Sequence, residues 1–249
     1  MRNIKVFVLI CAVFCAFGCT KTTVISSPLP CIESSAKPPP PICTPDMAER
    51  ECRERTAFVR VQVEKTVKVW DASYTPKDGT FYHRGTGTLI NDAGLVVTAE
   101  HVVRNAIFIT IGLRRLSDDG KDIVRLRDIP MNIVATAPEK DIAFLSPRFP
   151  ETLPKPMPIL ARPLAASEQL WQFGDTTYWT HGPFIKSGVD TQKLHGLLKA
   201  DIVSDGGDSG GPLVTEKGEL AGVLVRDDKF GTSPSYYVPI ADALAVLNK

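Results

Sequence analysis

The stretch Asp205-Gly-Gly-Asp-Ser-Gly-Gly-Pro-Leu213 limits what this chain can fold into more than any other segment. Ser209 is flanked by Gly206, Gly207, Gly210 and Gly211, residues that take backbone angles closed to others and let a second molecule approach the main chain. A serine hydroxyl is a weak nucleophile until a base takes its proton, a third group orients that base and N–H donors await the oxyanion. The bland alternative is a tight glycine turn between strands. The same residues also fit Gly-x-Ser-x-Gly, an elbow between strand and helix whose partner acid and histidine follow the serine. No histidine follows Ser209 here, so the base lies upstream, among His83, His101, His181 and His195.

His101 has the best support. Gly94-Leu-Val-Val-Thr-Ala-Glu-His101 reads as a buried apolar strand ending in a short turn, which would hold an imidazole rigidly. For the order His, Asp, Ser, the orienting acid falls between positions 101 and 209. Asp118, Asp119, Asp122 and Asp128 sit in a charge-rich stretch that reads as solvated loop or exposed strand. Asp141 instead stands at the mouth of the apolar run Ile142-Ala-Phe-Leu145, where a carboxylate needs donors such as an imidazole N–H.

Four segments in this order resemble the chymotrypsin-like (trypsin-fold) serine proteases, bacterial type: Gly85-Thr-Gly-Thr-Leu-Ile90, Val97-Thr-Ala-Glu-His101, Asp141-Ile-Ala-Phe-Leu145 and Gly207-Asp-Ser-Gly-Gly-Pro-Leu213. The resemblance implies an all-β fold of two six-stranded antiparallel barrels packed face to face, with the active site in the cleft between them. It implies a triad of His101, Asp141 and Ser209, an oxyanion hole formed by the N–H groups of Gly207 and Ser209, and an acyl-enzyme intermediate. It also places Val203 at the base of the pocket for the residue before the scissile bond, with Ser235 narrowing that pocket. Val225, Arg226 and Asp227 would form the edge that pairs with substrate backbone. With valine at 203, preference for Lys or Arg has no support; small or medium apolar side chains fit better, although Asp205 and Asp227 could add negative charge at the rim. Family members often carry serine where Val225 stands, bonded to the triad acid, so the setting of Asp141 needs another explanation. No Ile-Val-Gly-Gly-like segment follows a basic site. Asp208 is therefore expected to find an internal partner in place of a newly cut amino terminus.

The short runs that would build the barrels are visible in the pattern. Alternation at Val59, Val61 and Val63 is followed by Gly85 to Ile90, Leu95 to Ala99, Ile107 to Leu113, Ile133 to Ala137 and Ile142 to Leu145. Glu151 to Pro163, rich in proline, reads as the crossover. Leu170 to Phe173, Phe184 to Gly188, Leu197 to Val203, Gly211 to Val214, Leu220 to Val225 and Ser235 to Val238 follow, and Pro239 to Leu247 reads as a short amphipathic helix. The protease domain is expected over 58–249, with barrels over about 58–150 and about 160–249.

Ahead of it, Met1-Arg-Asn-Ile-Lys5 and the apolar Val6 to Gly18 read as a signal peptide, too short to span a bilayer. Ala16-Phe-Gly-Cys19 resembles a bacterial lipobox, which implies lipid (palmitate) attachment at Cys19 and a membrane-held lipoprotein, with plain secretion as the second reading. In a Gram-negative host, Thr20 points by the same resemblance to the outer membrane. Residues 19–57 read as a Pro-rich tether and lead-in, with a short helix or an ordered entry segment expected in Met47 to Ala57. All six cysteines precede the domain, and Cys31, Cys43 and Cys52 could form one disulfide. A formal charge of +1 with no basic run gives no support for nucleic-acid binding. No cofactor and no metal site are implied, and a monomer acting on protein or peptide is expected. The competing function is a surface lipoprotein that keeps the fold as a binding or scaffold protein and cleaves nothing.

Overall fold

The structure, a computed structural model, describes residues 58–70, 76–116, 123–176, 179–227 and 231–248. The expected signal peptide, lipid-bearing Cys19, tether and Met47 to Ala57 segment lie outside the described residues.

β1 (Phe58–Trp70) shows why these segments are strands. Val59, Val61 and Val63 are buried while Arg60, Gln62 and Glu64 are half-buried, the period of two that a pleated backbone imposes. β2 (Pro76–Leu89), β3 (Val96–Ala99), β4 (Ala106–Leu116), β5 (Ile123–Ala137) and β6 (Ile142–Pro147) complete the first half. They close as a barrel in the order β1-β2-β3-β6-β5-β4, every pairing antiparallel. A one-turn helix, α1 (Glu100–Val103), follows β3, and a 3-10 turn (Pro138–Lys140) precedes β6. β7 (Gln169–Phe173), β8 (Trp179–Val189), β9 (Leu197–Ala200), β10 (Pro212–Thr215), β11 (Leu220–Asp227) and β12 (Ser235–Pro239) form a second closed barrel, ordered β10-β11-β12-β9-β8-β7. The expected pair of six-stranded antiparallel barrels is thus present. At the end, α2 (Ile240–Leu244) runs into a 3-10 turn (Ala245–Asn248), with Ile240, Ala243 and Val246 buried.

Several strands are longer than their apolar runs, β2, β5 and β8 most clearly. β5 begins ten residues before Ile133 and takes in Asp128 and Pro130. Proline removes a ladder donor and argues against a central strand, yet the Pro130 carbonyl still accepts the N–H of Arg148 at 3.0 Å. β8 begins before Gly182-Pro183 because Trp179 to Pro183 pairs with β7, and Asp201 crosses there so closely that a Cβ at Gly182 would lie 1.8 Å from its carbonyl oxygen. The crossover is tied to both barrels. Met157 N–H donates to the Leu89 carbonyl at 2.9 Å, and 158–160 bonds to Leu220 at both its N–H (2.7 Å) and its carbonyl (2.9 Å).

Candidate active site

Asp141 is the C-terminal cap of the 3-10 turn and sits at φ 55°, ψ 43°. Few residues other than glycine tolerate that left-handed region; aspartate does because its short polar side chain bonds locally. From this position it reaches across to α1 with three acceptors. Its carbonyl takes the Glu100 N–H at 3.0 Å, Oδ1 takes the His101 N–H at 2.8 Å and Oδ2 meets the imidazole Nδ1 at 2.6 Å. A carboxylate only accepts, so Nδ1 carries a proton, and in the neutral ring Nε2 is the acceptor. Backbone and ring of His101 are thus fixed by one residue, which answers the lack of a serine at 225. The pair is shielded unequally, with side-chain exposures of 34% for His101 and 13% for Asp141. Beside it, buried Glu100 is held by Arg104, whose guanidinium Nε lies 2.9 Å and 3.1 Å from the two carboxylate oxygens. That hydrogen bond pushes the Arg104 pKa up.

The serine loop is carried by the second barrel, between β9 and β10, and is docked on the first. Thr86 N–H of β2 donates to the Ser209 carbonyl at 2.8 Å. A Cβ at Gly85 would lie 3.1 Å from that carbonyl and 2.6 Å from the Val102 side chain, so Gly85 is the thin wall between Ser209 and the helix turn that bears His101. Gly210, at φ +85°, leaves still less room: an added Cβ would sit 2.2 Å from the Thr86 carbonyl and 2.8 Å from the Ala99 nitrogen at the end of β3. Gly85 and Gly210 are therefore needed for this approach. His101 and Asp141 meet directly, and the Ser209–Gly210 turn lies against β2 and the end of β3; His181 and His195 are exposed on the second half, and His195 pairs there with Asp190 at 3.3 Å.

Asp208 is fully buried and finds internal partners: Oδ1 accepts the Thr176 N–H at 3.0 Å and Oδ2 the Asp205 N–H at 2.9 Å. Gly207, at φ +104°, lies under a second set of contacts that the sequence did not disclose. Thr86 Oγ1 donates to the Gly207 carbonyl at 2.9 Å, and Thr176 Oγ1 donates to the Gly206 carbonyl at 2.5 Å. The segment carrying Thr176 is itself anchored, Asp175 N–H donating to Thr86 Oγ1 at 3.0 Å and Arg60 Nε meeting Asp175 Oδ1 at 2.5 Å.

The expected pocket residues divide. Val203 is 39% exposed, whereas its neighbour Ser204 is fully buried, with its Oγ 2.8 Å from that of Ser235. The Ser235 hydroxyl also donates to the Ile202 carbonyl at 2.8 Å. Ser204 went unnoticed because only the alternation of Ile202 in, Val203 out and Ser204 in reveals it. Val225 is buried on β11; Arg226 and Asp227 pair with Tyr236 and Ser235 of β12, while pairing with β10 stops at Val223.

The periplasmic serine endoprotease DegP of Escherichia coli strain K12 is 30% identical over 158 residues, 57% of this chain and 30% of DegP. A probable DegP-like periplasmic serine endoprotease of Pseudomonas putida strain GB-1 is 29% identical over 182 residues, 66% of this chain and 34% of the relative. The chain therefore spans about a third of the length of these curated relatives. Among solved structures, the HtrA-type protease AlgW with a tripeptide matches 80% of this chain and 62% of its own at a TM-score of 0.61 and 21% identity, a likeness of fold alone. A family model described as "Trypsin-like peptidase domain" matches residues 85–223, a span that runs from the glycine wall of β2 through His101, Asp141 and Ser209 into β11. The chain belongs to the trypsin-like peptidase family.

Proposed function

We propose that the chain is an exported serine endopeptidase. One observation carries the reading: the carboxylate of Asp141 grips both the main chain and the Nδ1 of His101, and the Ser209 turn is seated against that same helix turn. In this reading the Nε2 of His101 accepts the Ser209 proton as Oγ attacks the carbonyl carbon of a peptide bond. The electron pair of the carbonyl moves to its oxygen, which the N–H groups of Gly207 and Ser209 receive. Collapse breaks the C–N bond, the imidazolium gives its proton to the departing amine, and water then repeats the sequence to release the acid. Asp141 stabilises the imidazolium and remains ionised throughout. The substrate strand is read as pairing with Val225, Arg226 and Asp227, where β10 no longer covers β11. The buried Ser204–Ser235 contact favours a small or medium apolar side chain before the scissile bond.

The periplasmic relatives support export, and Cys19 is proposed as the lipid attachment site. The test of activity is labelling of the full-length protein with a fluorophosphonate, wild type beside Ser209→Ala. Label on the wild type alone is expected; a folded wild type that takes no label would make the chain a binding or scaffold protein. For the anchor, Cys19→Ala is expected to move the protein from the membrane pellet to the soluble fraction, and an unchanged pellet would remove the anchor.

A further inference from the structure

Gly207 is the residue in the serine loop whose two flanking peptides are each seized by a threonine hydroxyl. A peptide unit is planar and trans, so its C=O and N–H point in opposite directions. Fixing the Gly206 carbonyl therefore fixes the direction of the Gly207 N–H. A glycine at φ +104° has no Cβ to oppose rotation of the peptides on either side, so orientation here depends on hydrogen bonds: one within the loop, from the Asp208 N–H to the Asp205 carbonyl at 3.0 Å, and two from outside it. Of the outside pair, Thr176 Oγ1 supplies one at 2.5 Å to the Gly206 carbonyl, and Thr86 Oγ1 supplies the other at 2.9 Å to the Gly207 carbonyl. The space is matched as well: a Cβ at Gly207 would lie 2.4 Å from Thr176 Oγ1.

Neither threonine is loosely held. Thr86 is fully buried on β2, and its Oγ1 accepts the Asp175 N–H at 3.0 Å, which directs its own proton to the Gly207 carbonyl. Thr176 is pinned through its N–H to the buried carboxylate of Asp208, and its neighbour Asp175 is paired with Arg60 of β1. We infer that Thr86 and Thr176 are positioning residues that hold the Gly207 N–H toward the oxyanion, Thr176 through the 206–207 peptide and Thr86 through the 207–208 peptide. This rests on the endopeptidase reading above. Neither side chain needs to touch the substrate. Their effect falls on the charge that develops in the transition state, leaving ground-state binding largely as it was.

The experiment uses the full-length protein as wild type, Thr176→Val, Thr176→Ser, Thr86→Val and Ser209→Ala. Valine keeps the shape of threonine and removes the hydroxyl; serine keeps the hydroxyl. Three readouts are taken: fluorophosphonate labelling rate, kcat and KM on a fluorogenic peptide, and inhibition by a peptide aldehyde, which forms an oxyanion in the site. Loss of one oxyanion donor lowers kcat by roughly 10² to 10³-fold, and Thr176→Val is expected to lose about 10²-fold in kcat with KM changed less than about threefold. Aldehyde affinity should fall in step with kcat, Thr176→Ser should recover to within about fivefold of wild type, and Thr86→Val should follow the Thr176→Val pattern. Wild-type kcat and aldehyde affinity in folded Thr176→Val would overturn the inference while leaving the protease reading intact. So would failure of Thr176→Ser to recover. Should Thr176→Val not fold, Thr86→Val decides by the same two readouts. Absence of label on the wild type removes the protease reading and this inference with it.

Discussion

Replacing Asp208 by alanine is the sharpest probe of how the serine loop is held. The carboxylate is fully buried and accepts two backbone N–H groups, Thr176 at 3.0 Å and Asp205 at 2.9 Å. A hydrogen bond to a charged group contributes about 1.5–3 kcal/mol. Two such bonds put the loss near 3–6 kcal/mol, most of it the cost of leaving two donors without acceptors. For a domain of this size about 1 kcal/mol moves Tm by roughly 2–4 °C, so Asp208→Ala should melt roughly 6–24 °C below wild type. Asp208→Asn should fall between the two, since its amide oxygen can serve one donor while its NH2 opposes the other. Thermal unfolding followed by circular dichroism gives the shift, and fluorophosphonate labelling of the folded fraction reports the loop. An alanine variant within about 1 kcal/mol of wild type would refute the claim that this carboxylate fastens the loop from within. The same would hold if asparagine proved as damaging as alanine at both readouts.

Other outcomes can be checked alongside. Asp141→Asn should keep the fold but lower kcat by about 10⁴-fold, the magnitude known for this change in trypsin-like triads; a loss below about tenfold would detach Asp141 from the site. Gly210→Ala brings a Cβ to 2.2 Å from the Thr86 carbonyl at a φ that disfavours side chains, and should destabilise by roughly 2–5 kcal/mol, read as a fall in denaturant midpoint. The Arg162 hydrogen bond holds the Glu168 pKa below its ordinary value, with the Ala165 N–H adding to it at 2.9 Å. A depressed folded-state pKa stabilises above the unfolded value and is lost as pH falls through the folded value. The Tm gap between wild type and Glu168→Gln should therefore be full at pH 7 and close below the ordinary carboxylate range; a gap unchanged at pH 3 would count against the pair.

Much of this site could be read from the chain because its parts carry local signatures. Ser209 announces itself through neighbouring glycines, His101 through the apolar run before it, and Asp141 through a carboxylate set at the mouth of another. The resemblance of four ordered segments supplied the barrels. The lengths of β5 and β8 were hidden because Pro130 and Gly182-Pro183 read as breaks, and only tertiary pairing reveals them as strand interior. Arg60, Thr86, Asp175 and Thr176 were missed for a different reason. Arg60 and Asp175 are separated by 115 residues, Thr86 and Gly207 by 121, and no periodicity within a window links partners that far apart.

The bond from Thr86 N–H to the Ser209 carbonyl has a consequence for biogenesis. Residues proposed to cooperate are split between an earlier-made half and a later-made one, and this bond is where the serine loop of the later half docks on the earlier. A full-length chain whose halves have not yet docked therefore carries every chemical group and still lacks the assembled site. In the endopeptidase reading proposed above, hydrolytic power arrives only with that last docking event.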